Sequence, residues 1–86
     1  MKDAVDFIKP KMSKADFNLF LEQYLTDYEN RDDNWENDTL GRFLEAMLAW
    51  SNDAAGYYKN MNVDVNHKEA SWRVFADMLA AARVYE

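Results

Sequence analysis

The chain has 86 residues, 49% of them hydrophobic and 15% aromatic, and a net charge of −6. One core fills a chain of this length, so a single domain over residues 1–86 is expected. The absence of cysteine excludes disulfides and thiolate-bound zinc, and two glycines with one proline favour helices over tight turns.

In chain order, "DAVDFIK" predicts a short helix of about two turns that Pro10 ends, because proline disfavours the α region at the residue before it. "SKADFNLFLEQYLTDYENR" predicts a firm helix with Ser13 as its cap and Asp16 at the capping-box distance. Phe17, Phe20, Leu21, Tyr24, Leu25 and Tyr28 share one broad face of it. Leu19 lies nearly opposite, with Met12 beside it, as a second and smaller apolar strip.

After the acidic connector "YENRDDNWEN", "DTLGRFLEAMLAWSNDAAG" predicts a central helix. Asn37 or Asp38 is the expected cap, Trp35 a hydrophobic staple, and Gly56 the C-terminal stop. Its apolar arc runs through Leu40, Phe43, Leu44, Met47, Leu48, Trp50 and Ala54, wider than an ordinary surface helix needs. Gly41 is either tolerated near the helix start or marks a close backbone approach. A loop of about a dozen residues follows, in which "NVDV" has the pattern of a brief strand. "SWRVFADMLAAARVYE" predicts the last helix, with Ser71 as its cap. The expected fold is all-α: a compact bundle of three main helices plus a short N-terminal helix.

From Trp35 onward the chain resembles a family of small bacterial proteins with no assigned function. Trp35-Glu36-Asn37, Leu40, Phe43-Leu44-Glu45-Ala46, Trp50, Asp53, Gly56-Tyr57-Tyr58 and Asn60 carry the resemblance. After a variable loop, so do Trp72, Phe75-Ala76, Leu79, Ala81-Ala82 and Tyr85-Glu86. The resemblance implies an all-helical domain and brings no activity.

The charge is uneven: residues 22–45 carry eight acids against two bases. Such a segment repels nucleic acid phosphates and anionic membranes, so a charge-selected partner is a basic protein. Asp32, Asp33, Glu36 and Asp38 are the candidate contact residues. No apolar run approaches the roughly 18 residues of a membrane span, and "MKDAVDFIKPK" lacks a signal-peptide core, so a cytoplasmic protein is expected. The acids do not have the spacing of a calcium-binding helix–loop–helix, so no metal and no cofactor is expected. His67 is the single histidine, in a polar loop, with no cysteine nucleophile and no glycine-rich phosphate loop, so an enzyme is not expected.

Three functions remain. The first is a non-enzymatic protein-interaction module with an acidic contact surface, of the immunity or antitoxin kind. The second is a regulatory domain for a small ligand or metal, with an aromatic pocket formed by Trp50, Tyr57, Tyr58 and Trp72. The third is a structural homo-oligomer with Leu19 and Met12 as its seam, against a monomer or weak oligomer otherwise. A buried arginine needs a carboxylate, so Arg73 or Arg83 is expected to pair with Glu45, Asp53 or Glu86.

Overall fold

The computed structural model describes residues 3–31 and 35–85, so Asp32 and Asp33 lie outside the described residues. Three helices follow a 3-10 turn: α1 (Lys14–Glu29), α2 (Leu40–Asn60) and α3 (Trp72–Ala82), with the turn at Ala4–Phe7. Among the described residues there is no strand, so "NVDV" is loop. None of the helices is long and apolar enough to cross a membrane.

Local chemistry sets most of the boundaries. Ser13 and Asp16 form the reciprocal capping box of α1: the Asp16 N–H donates to Ser13 Oγ and the Ser13 N–H to Asp16 Oδ2. Ser71 caps α3 through the Val74 N–H. The N-terminal element is a single 3-10 turn, shorter than the expected two turns, capped by Asp3 and Asp6 and closed by the Ile8 N–H on the Val5 carbonyl; it is also held from outside. Asp27 on α1 accepts the Ala4 N–H at 2.7 Å and is itself steadied by Gln23.

Helix α2 departs from expectation at both ends. Its cap is Thr39, whose hydroxyl accepts from the Arg42 N–H. Asn37 serves α3 instead: its side-chain amide donates to the Ala82 and Tyr85 carbonyls at 2.8 and 2.9 Å, satisfying groups at a helix end that have no intrahelical partner. The helix also runs through Gly56 to Asn60. Continuing buries Tyr58, which outweighs the roughly 1 kcal/mol that a helical glycine costs. The stop is Asn62, at φ 55°. Its N–H bonds the Lys59 carbonyl and the Val63 N–H bonds the Tyr58 carbonyl, a Schellman closure built on asparagine. Nothing lies within 4 Å of where a Cβ on Gly41 would sit, so that glycine marks no close backbone approach.

Helix α3 packs against both α2 and α1, and the N-terminal turn packs on α1. Two aromatic clusters result. One joins Ala4, Phe20, Tyr24, Trp35 and Ala76. The other joins Trp50, Ala54 and Tyr58. Helix α3 feeds both, with Leu79 and Ala80 on the first and Met78 and Ala81 on the second. Its small residues let the flanking elements approach closely.

Candidate functional site

The aromatic residues expected to form one pocket fall in two places. Trp50, Tyr57 and Tyr58 stack edge to face, with ring centroids 5.3 to 6.0 Å apart. Trp72 belongs elsewhere, 5.2 Å from Phe17 and 5.8 Å from Phe75. Trp50 and Tyr58 are buried, so their faces are spent on each other and on α3. The Trp50 indole N–H is buried and has no acceptor among the described residues.

The pairing of Arg73 also differs. Its Nε donates to Asp77 Oδ2 at 2.8 Å, one helical turn on, rather than to Glu45 or Asp53. The same oxygen accepts the Tyr58 hydroxyl at 2.6 Å, and Arg73 Nη1 reaches the Lys9 carbonyl at 3.2 Å. Burial pushes the Tyr58 phenol well above its ordinary range, with the Asp77 carboxylate adding to the shift. Asp77 is the buried polar residue that the sequence reading missed; the signal was its place four residues after Arg73 on one helix. Asp53 accepts the Tyr85 hydroxyl, a hydrogen bond that raises the Tyr85 pKa. Arg83 helps hold the Tyr24 pKa down against a larger upward push from burial. Glu45 is exposed on α2.

Several depressions are open among the described residues, one of them beside Trp50, Asp53, Tyr57 and Tyr85, and two are lined chiefly by apolar side chains. A cleft of about 480 Å³ runs over α3, with Val5 and Ile8 on one wall, Trp50, Tyr57 and Tyr85 on the other, and Arg73, Asp77, Ala80 and Ala81 between them. Its charged groups, Arg73 and Asp77, already pair with each other. Among the described residues no group of three or more His, Asp or Glu is placed to hold a metal ion.

The second depression, of about 340 Å³, lies between α1 and the start of α2. Leu21, Tyr24, Leu25 and Tyr28 come from α1, Leu40 and Phe43 from α2, and Trp35 from the connector. Trp35 packs on Tyr24 and Tyr28, at 5.0 and 5.3 Å between ring centroids, and its indole N–H donates to the Asn37 carbonyl at 3.1 Å. It therefore braces α1; with Thr39 as the cap of α2, the residue at the staple position is Asp38 and not Trp35. The Tyr24 hydroxyl donates to the Leu79 carbonyl, which fixes that ring.

The leucines distinguish this groove. The chain has seven, and all but Leu79 are exposed. Leucine is ordinarily among the most buried residue types; here aromatics and alanines fill the core and leucines face solvent. Leu21, Leu25 and Leu40 line the groove. Leu44 and Leu48 extend the Leu40 line along α2 by one and two turns, and the three are 74%, 51% and 65% exposed. Of the wide apolar arc of α2, its three leucines therefore face solvent. Of the candidate acids, Asp38 lines the groove and Glu36 is exposed next to its Trp35 wall. Of the proposed oligomer seam, Met12 packs into the first cluster and only Leu19 is exposed.

No curated protein and no solved structure matches the chain. A family model described as a family of unknown function, DUF7660, matches residues 13–86 and leaves out only the N-terminal turn and the residues around it. The chain belongs to that family of unknown function.

Proposed function

We propose that this chain is a non-enzymatic protein-interaction module, and that it docks a basic protein through the leucine-lined groove between α1 and α2. The observation that carries this reading is the inversion of the leucines: six are exposed, and five of these line the groove or continue it along α2. Exposed apolar side chains grouped in this way mark an interaction site. Charge selects the occupant. The surface overlaps the segment of eight acids and two bases, residues 22–45, so a second copy of the chain would bring the same negative field against it, whereas a basic protein is drawn in.

The test is affinity capture from the source cell with three baits: the native chain, Leu40→Asp and Asp38→Lys. The reading requires a basic protein that the native chain retains at low salt, that Leu40→Asp loses, and that Asp38→Lys holds more weakly. A partner indifferent to both substitutions, or self-association of the native chain as its sole interaction, would refute it.

A further inference from the structure

The groove's geometry narrows the occupant further. This inference rests on the interaction reading above, and concerns which secondary structure the partner presents. We infer that the occupant is an amphipathic α-helix with apolar side chains at i, i+3 or i+4, and i+7, flanked by lysine or arginine.

The first argument is hydrogen bonding. An extended peptide without proline gains its backbone hydrogen bonds by pairing with a free strand edge. Among the described residues there is no strand, and the walls of the groove are helices whose interior backbone groups are already paired. Of the polar side chains lining the groove, Asn37 is committed to the Ala82 and Tyr85 carbonyls, the Thr39 hydroxyl accepts from the Arg42 N–H and the Tyr24 hydroxyl donates to the Leu79 carbonyl, with Asp38 and Tyr28 beside them. An extended segment pressed onto these leucines would leave its N–H and C=O groups without partners, each a substantial cost. A helix satisfies its own backbone and avoids that cost.

The second argument is shape. Leu21 and Leu25 on α1, and Leu40, Leu44 and Leu48 on α2, are rows at i+4 spacing, the ridges between which another helix seats its own side chains. The row from Leu40 to Leu48 is about 12 Å long at roughly 1.5 Å per residue, matching two to three turns of a partner. Helix α3 holds α1 and α2 from one side and contributes no residue to this groove. A fourth helix in the groove would bury both leucine rows together.

The third argument is charge. Asp38 lies in the lining, and Glu22, Glu29, Glu36 and Glu45 are exposed on the same two helices and their connector. The Arg31 guanidinium sits over the Tyr28 ring, 4.0 Å from its centroid, so a planar cation already fits against one of the groove's aromatics.

The experiment is selection from a display library of random peptides about 15 residues long, roughly four helical turns, against the full chain, followed by circular dichroism of the winners free and bound. The expected result is enrichment of sequences with the apolar spacing above and flanking Lys or Arg, with helicity that rises on binding. Leu40→Asp should weaken them about thirtyfold, as loss of an interface anchor does, with Leu44→Asp as a second variant and circular dichroism of each variant confirming its fold. Enriched peptides that depend on Leu40 but bind extended, proline-rich or acidic overturn the helix inference and leave the interaction reading standing. Peptides indifferent to both leucines, or no enrichment at all, overturn both.

Discussion

Replacing Leu40, Leu44 and Leu48 by alanine, singly and together, separates a docking surface from a core. A leucine that truly fills a core costs about 2–5 kcal/mol when cut to alanine, because burial is lost and a cavity remains. These three keep only a quarter to a half of their surface covered, given exposures of 74%, 51% and 65%. Full burial of such a side chain is worth about 1.5–3 kcal/mol, so the covered fraction contributes roughly 0.5–1 kcal/mol each. No cavity opens at a site that faces solvent, and alanine's slightly better helix propensity offsets part of the loss. Urea denaturation monitored by circular dichroism should therefore show each single variant within about 1 kcal/mol of the native chain, and the triple variant within about 2 kcal/mol with an unchanged slope. A single substitution costing more than about 2 kcal/mol would mean that α2 packs through this row, and the groove would cease to be a free surface.

Gly56→Ala should stabilise the chain by about 0.5–1 kcal/mol, because Gly56 lies inside α2 with nothing within 4 Å of a new Cβ; destabilisation in thermal unfolding would restore it as a helix stop. Asp77→Ala should cost about 3 kcal/mol by urea denaturation, since it strands a part-buried guanidinium and a buried phenol. Tyr58→Phe should cost about half as much, and equal small losses would show that the network carries little. Acid should weaken the fold through Asp16, whose pKa the Ser13 backbone N–H and then Lys9 hold below its ordinary 3.8. Its contribution is present above that value and lost as pH falls through the lower folded one, so Asp16→Asn should flatten the melting temperature against pH below about 4. Alkali should act oppositely through Tyr58 and Tyr24, both raised chiefly by burial above an ordinary value of 10.0. Their stabilisation is complete below that value and declines above it, which tyrosinate absorbance during unfolding can follow.

Local chemistry was legible in the sequence and coverage was not. Ser13 with Asp16, and Ser71 before an apolar arc, announce helix starts because the capping bonds span three or four residues. The three tryptophans announce a core, and two of them are buried in it. Periodicity, however, says which side chains share a face and nothing about what lies over that face. Leu40, Leu44 and Trp50 were one arc on paper; α3 covers the Trp50 end and leaves the leucine end bare. Asn37 stands next to α2 in the sequence, but its partners sit 45 and 48 residues away, at the last residue of α3 and just beyond it. Gly56 drew attention from Asn62, although an asparagine just past the last buried tyrosine is the other residue that tolerates a left-handed turn.

The division of labour between aromatic and aliphatic side chains follows from size. A short chain must extract most of its burial from few residues, and one tryptophan or tyrosine removes more surface from water than a leucine does. Phe20, Tyr24, Trp35, Trp50 and Tyr58 fill both clusters, with alanines from α3 and α2 beneath them. Once that packing is complete, the leucines on α1 and α2 add little to the monomer, and their exposure works against solubility. A net charge of −6 offsets that liability by keeping copies apart. The same charge makes the leucine surface selective, since a like-charged apolar surface is repelled and a basic one is drawn in. On the proposed reading, exposed leucines and surrounding acids would act as one device, in which the apolar rows supply contact and the acids choose who makes it.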